Sequence, residues 1–204
     1  GARSRNPEKY QQDAAVLREA VLQEPDNARY VFYLAQSCRD AGLLVEAAEA
    51  YQRRCEMSGW SEERYVSHLE RGRLLRRLEA SRALVQDEFL QAYQLSSERA
   101  EAQVELAKLY REEGQWCLAH LFAQNAVSLP RPDNGLFLEE AAYAWRALDE
   151  LALAKFYTGQ YQAALDLTQR LLACDELPAT EQERIRRNEF SCRAFQPGRL
   201  MTHA

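Results

Sequence analysis

The chain has 204 residues, 47% of them hydrophobic and 28% charged, which is enough apolar side chain for a packed core and excludes wholesale disorder. A net charge of −5 argues against the broad basic footprint of a nucleic-acid binder. No apolar run reaches the roughly 18 residues of a membrane span, because Asp149, Glu150 and Lys155 interrupt the longest candidate.

In chain order the pattern is helix after helix. Asn6-Pro7-Glu8 has a capping side chain, a proline where its missing N–H costs nothing, and an acid at the positive end of the dipole. It opens a helix to about Glu24, which Pro25-Asp26-Asn27 stops. Helices follow over about 28–40 and 45–57, then a Gly59-Trp60-Ser61 break, then 62–78, 82–95, 100–113 and 116–129. Pro130-Arg-Pro-Asp-Asn-Gly135 cannot continue a helix. Beyond it come 138–157 and 161–173. Thr180-x-x-Glu183 then reads as a capping box for a last helix to about 195, and Gln196-Pro-Gly198 ends it, leaving 196–204 as a flexible tail. Trp60 and Trp116 open helices beside turns, where such rings brace a neighbouring pair.

A spacing recurs along these helices. Leu34-Ala35, Cys38, Gly42, Ala47 and Tyr51 are echoed by Leu106-Ala107, Tyr110, Gly114, Ala119 and Ala123, and again by Leu151-Ala152, Lys155, Gly159, Ala164 and Thr168. A degenerate copy carries Gly72 and Leu75. The steps between Ala35, Gly72, Ala107 and Ala152 are 37, 35 and 45 residues. Two lie near 34, the period of the tetratricopeptide repeat (TPR), and the third holds an insertion of about ten residues. The pattern resembles the TPR family, which implies an all-α, right-handed superhelical solenoid of antiparallel helix pairs with a C-terminal capping helix. The expected layout is one domain over 1–195: a half-repeat at 6–25, pairs at about 28–58, 61–95, 100–129 and 138–174, and the cap at about 180–195.

Catalysis by this chain alone is not expected. The three histidines, His68, His120 and His203, are scattered, and there is no phosphate loop or nucleophile elbow. Cys117 and His120 share a helix face with nothing to complete a metal site. The five cysteines have no paired short spacing, so packed, reduced thiols such as Cys38 and Cys117 are expected, with no cofactor and no metal. Asp149 and Glu150 read as surface acids, with Arg146–Glu150 an exposed ion pair at helical spacing.

The repeat register assigns a groove wall to the first helix of each pair. Its outward residues are Phe32, Gln36 and Arg39; Leu69, Arg73 and Arg76; Val104, Lys108 and Arg111; and Arg146, Asp149, Leu153 and Phe156. Cations dominate, so an acidic protein or peptide is the expected partner. Equally, these long side chains can simply solvate a helix face and pair with Glu105 and Glu112. No asparagine stands where known TPR clamps for acidic C-terminal peptides carry one.

Longer stretches are similar to a narrower group. Asn6-Pro-Glu-Lys-Tyr10, Pro25-Asp-Asn-Ala-Arg-Tyr-Val-Phe-Tyr-Leu-Ala-Gln-Ser37, Gly59-Trp60, Ala119-His-Leu-Phe-Ala123, Tyr143-x-Trp-Arg-x-Leu-Asp-Glu-Leu151 and Tyr157-Thr-Gly159 resemble the repeat region that follows the catalytic domain of bacterial family-2 glycosyltransferases. The resemblance implies a C-terminal accessory region downstream of a nucleotide-sugar domain, and the reduced thiols read as those of a cytoplasmic protein. Where that family often carries acids, this chain has Ala141, Ala142 and Ala144. The chain opens Gly1-Ala2 without methionine, as a segment of a longer protein would. Two functions therefore stand side by side: a non-catalytic interaction scaffold, or the acceptor-positioning part of a sugar transferase.

Overall fold

The computed structural model describes residues 7–195, and among them all regular structure is helical. The chain divides into two compact units, the first ending at Ser97 and also taking Gly135–Phe137. Asn6, the expected cap of the first helix, and the expected tail 196–204 lie outside the described residues.

The first unit contains α1 (Pro7–Gln23), α2 (Ala28–Asp40), α3 (Leu44–Glu56), α4 (Ser61–Arg77) and α5 (Arg82–Leu95), each packed on the next. The side chain of Asn27 caps α2 by accepting from the Tyr30 N–H at 3.3 Å. The small residues at the recurring spacing lie where helices cross: Ala35 and Ala47 are fully buried, and Tyr51 packs beside them. Gly72 of α4 faces the ring of Phe89 on α5, itself fully buried. The Gly135–Phe137 segment also belongs to this core. The Leu136 N–H donates to Glu62 Oε2 at 3.0 Å, and the Phe137 ring stacks on Phe32 with centroids 6.4 Å apart.

The second unit contains α6 (Ala100–Glu112), α7 (Trp116–Ser128), α8 (Ala147–Tyr157), α9 (Tyr161–Leu172) and α10 (Ala179–Ala194). Ala107, Ala123, Leu151, Ala152 and Leu171 form its main core, and α10 closes it with Ile185. Trp116 braces the next pair as expected, its ring stacked 3.9 Å from that of Tyr157. Trp60 does not: it is 49% exposed, with the Arg29 guanidinium 5.9 Å above its ring. Cys38 is buried, whereas Cys117 is exposed.

Two helix starts differ from expectation. The helix placed at 138 begins at 140 and makes a π turn over Ala142–Arg146 before continuing as α8. That wider turn seats Ala142 against Ala100, Val104 and Ala126 and lets the Tyr143 hydroxyl donate to Glu101 Oε2 at 3.0 Å. At the cap, Pro178 is the residue before the first helical position, with φ −60° and ψ 139°, so Thr180 is already inside α10 and the capping box does not form.

Each pair turns through the same device. The N–H groups of Leu43, Gln115 and Gln160 reach back to the carbonyls of Cys38, Tyr110 and Lys155 at 2.8–2.9 Å, with Gly42, Gly114 and Gly159 at positive φ between the partners. This is the glycine-terminated Schellman turn. In the degenerate repeat Ala80 N–H bonds the Leu75 carbonyl at 2.9 Å, but the left-handed position is held by Glu79, φ 55°. Glu79→Gly therefore relieves a conformation that side chains disfavour. It is expected to stabilise the first unit by about 0.5–1 kcal/mol, measured as a higher midpoint in urea; an unchanged or lower midpoint would show that Glu79 carries no strain.

Candidate functional site: a charged cleft

In the second unit, α6, α8 and α10 present side chains to one cleft of about 270 Å³ lined by Lys108, Arg111, Trp145, Arg146, Asp149, Glu150, Leu153, Glu181 and Arg184. α6 supplies Lys108 and Arg111 one turn apart. The π turn supplies Trp145 and Arg146, α8 the acids and Leu153, and α10 Glu181 and Arg184. Five residues of the expected wall, Lys108, Arg111, Arg146, Asp149 and Leu153, thus come together here.

The cleft is a network of alternating charge instead of a bare cationic strip. Arg111 holds Glu150 with two hydrogen bonds, Nε to Oε2 at 2.6 Å and Nη2 to Oε1 at 3.2 Å. Arg184 holds Asp149 the same way at 3.2 and 2.7 Å, and donates through Nε to Glu181 at 2.9 Å. Arg146 spans Glu105 at 2.9 Å and Glu139 at 3.0 Å. Asp149 and Glu150 are therefore not surface acids; each is 7% exposed. The expected Arg146–Glu150 pair does not form, because the π turn ends at Arg146 and the two side chains take different partners. Lys108 makes no ion pair among the described residues.

Burial pushes the Glu150 carboxyl above its ordinary range, against the opposing pull of Arg111. The guanidinium of Arg111 is penalised by burial too, but its bonds to Glu150 hold it firmly charged. Arg184 is held charged in the same way by Asp149 and Glu181. Such bidentate arginine–carboxylate pairs fix side-chain position and leave guanidinium edges available. The arrangement suits recognition of a mixed charged and apolar segment, with Trp145 and Leu153 as its apolar wall.

The other expected wall residues lie elsewhere. In the first unit Arg39 Nη1 and Arg73 Nη1 clamp Glu70 from two sides at 2.9 and 2.8 Å. Gln36 is half-buried, and its Nε2 has no hydrogen-bond partner. Arg76 is half-buried. Phe32 and Leu69 are 1% and 3% exposed, core residues with no face for a partner, as is Val104. In the second unit Phe156 joins an aromatic group with Tyr161 and Phe195 at centroid distances of 5.4 and 5.6 Å. The register missed Glu70, Trp145, Glu181 and Arg184. For the last two, a signal existed: an acid and an arginine three apart on the capping helix.

The two described histidines lie apart, each beside a charged partner. His68 Nδ1 lies 2.8 Å from Glu88 Oε2, and His120 Nε2 lies 3.1 Å from Lys155 Nζ, where burial and the ammonium hold its pKa down. Among the described residues no helix is long and apolar enough to cross a membrane.

No family model matches the chain, and no curated protein matches it. Solved structures do. The crystal structure of the MamA protein aligns with a TM-score of 0.64 at 17% identity, covering 87% of this chain and 86% of that one. The APC/C hetero-tetramer Cut9–Hcn1 aligns at 0.65 and 17% identity, covering 92% of this chain and 33% of that one. BtubC from P. vanneervenii aligns at 0.61 and 14% identity over 96% and 84%. At these identities the likeness concerns the fold, and the chain has the TPR-type helical-repeat fold of these proteins.

Proposed function

We propose that this chain is a non-catalytic protein-interaction scaffold whose second unit seats an acidic segment of a partner protein in the charged cleft. A carboxylate of that segment bonds Lys108 and the open edge of Arg111, while a neighbouring apolar side chain rests on Trp145 and Leu153. The observation that carries this proposal is Lys108, an unpaired cation beside an apolar wall, within a cleft whose other charges are locked in place. Preorganised charges of that kind favour one register of a bound chain over others. Helical-repeat structures that include a subunit of a multiprotein complex are consistent with it.

The test is selection of a random peptide library on the whole chain, followed by affinity measurements on the Lys108→Glu variant. Lys108 makes no ion pair among the described residues, but its charge acts on the buried Glu150. Circular dichroism and a urea midpoint therefore establish that Lys108→Glu is folded, and Lys108→Gln serves as the milder variant. Selected peptides are expected to carry Asp or Glu beside an apolar residue and to bind Lys108→Glu at least tenfold more weakly. Equal binding to both proteins would remove the cleft from the function.

A narrower proposal rests on the segments from Pro25 to Ser37 and from Tyr143 to Leu151 quoted above: that the scaffold accompanies a nucleotide-sugar domain and positions its acceptor. It requires such a domain in the same reading frame upstream of Asn6. A reading frame without one ends that proposal and leaves the scaffold untouched.

A further inference from the structure

Three successive helices of the first unit bring together a thiol, an imidazole and a carboxylate. Cys55 near the end of α3, His68 on α4 and Glu88 on α5 have their ligand atoms all within 4.8 Å of one another. No motif announces them, since 13 and 20 residues separate them along the chain. Glu88 is 4% exposed, and the side chain of His68 is 13% exposed.

Glu88 is divided between two neighbours. Its Oε2 faces His68 Nδ1 at 2.8 Å, and its Oε1 accepts from Arg71, whose other terminal nitrogen is anchored to Gln52 Oε1 at 2.9 Å. Arg71 thus orients the carboxylate through one oxygen while the other faces His68. A charged group holding a ligating carboxylate from outside is the usual support for a metal ligand. Burial, with Glu88 adding to it, pushes the Cys55 thiol up to about 12; the nearby Arg54, Arg64 and Arg71 favour its thiolate.

We propose that Cys55, His68 and Glu88 form a binding site for a divalent zinc ion, closing α3, α4 and α5 together. The chemistry of the set fits: thiolate, imidazole and carboxylate are the ligands of zinc, at about 2.3 Å for sulfur and about 2.0–2.2 Å for nitrogen and oxygen. A tetrahedral ion at those distances needs its ligand atoms about 3.3–3.7 Å apart. The His68–Glu88 hydrogen bond therefore opens by less than an ångström, and Cys55, within 4.8 Å of both, moves inward by at most about 1.2 Å to reach the spacing of a tetrahedral site. On binding, the Cys55 S–H bond breaks, its proton leaves to solvent, and the sulfur lone pair forms the S–Zn bond without any redox change. Thiolate and carboxylate supply two negative charges to the ion, while Arg71 stays on the outer oxygen of Glu88. A water or a partner's side chain completes the fourth position.

The test uses the full chain, stripped with a chelator and titrated with Zn²⁺ or with Co²⁺ as a spectroscopic probe. Co²⁺ is expected to bind at one equivalent, with tetrahedral d–d bands and a thiolate-to-cobalt charge-transfer band. That band disappears in Cys55→Ser and persists in Cys117→Ser. His68→Gln weakens binding at least tenfold. On the unaltered protein, Zn²⁺ is expected to protect one thiol from alkylation, mapped by peptide mass to Cys55, so the result does not depend on any variant folding. Protection at Cys117 or Cys174 with none at Cys55, or a charge-transfer band that survives Cys55→Ser, would overturn the site.

Discussion

Arg99→Met is expected to lower the stability of the second unit by about 3–5 kcal/mol, the cost of leaving a buried charge without its partner. Arg99 is 2% exposed and Glu101 fully buried, and the guanidinium donates to Glu101 through Nη2 at 2.8 Å and Nε at 3.3 Å. Without Arg99 the carboxylate loses that guanidinium, while the Tyr143 hydroxyl at 3.0 Å and the Glu139 N–H at 3.2 Å still donate to it. Urea unfolding measures the loss; a change under 1 kcal/mol would mean that water reaches the pair. The same pair sets an acid limit. Burial raises the Glu101 carboxyl, but Arg99 and the backbone N–H groups outweigh it and leave its pKa below the ordinary 4.5. A folded pKa depressed in this way contributes stability that is fully present above 4.5 and lost as pH falls through the folded value. In Arg99→Met that acid dependence flattens or inverts, because burial is then opposed without the Arg99 hydrogen bonds and charge.

Gly72→Leu is expected to cost the first unit about 3 kcal/mol, at the upper end for overpacking. A Cβ at position 72 would lie 2.5 Å from Phe89 Cε1 and 2.8 Å from Cδ1. The ring cannot step aside, because Phe89 is fully buried between α4 and α5. Gly72→Ala carries the same first overlap with less bulk and falls between the two. Phe89→Leu combined with Gly72→Ala should recover part of the loss, since the overlap disappears even though a small cavity opens. Thermal or urea melts that superimpose on the unaltered protein would show that the helices do not cross at Gly72.

Both predictions begin from features of different legibility. Gly72, like Ala35, Ala107 and Ala152, was readable as a small residue at a helix crossing, because spacing alone identifies it. Gly42, Gly114 and Gly159 were readable as turn residues for a related reason: a left-handed residue is needed there and glycine supplies it freely. Glu79 holds the same left-handed position without the signal, so the break between 78 and 82 was legible but its left-handed residue was not. The π turn at Ala142–Arg146 was hidden too, since Ala, Tyr and Trp read as uninterrupted helix with no glycine or proline to mark the widening. The Arg146–Glu150 pair and the surface placement of Asp149 failed with it, whereas Arg146, Asp149 and Leu153 still reached the cleft.

The candidate site was legible only in part for a physical reason. A helical register says which residues share a stripe, but not which carboxylates fold back to neutralise them. Lys108, Arg111, Arg146 and Leu153 could be placed on one wall. Glu150 and Arg184 could not: Glu150 reads as a surface acid but folds onto Arg111 of α6, and Arg184 comes from α10, outside the repeat register. Phe32 and Leu69 sat on the same stripe yet became core: Phe32 is covered by Phe137 from more than a hundred residues away in the chain.

The most direct measurement on the central claim is amide chemical-shift mapping of the ¹⁵N-labelled chain during titration with a selected acidic–apolar peptide. The shifts are expected to concentrate at Lys108, Arg111, Trp145, Leu153 and Arg184, including the Trp145 indole N–H, and to vanish in Lys108→Glu. Saturable shifts confined to other residues, with the cleft silent, would contradict it.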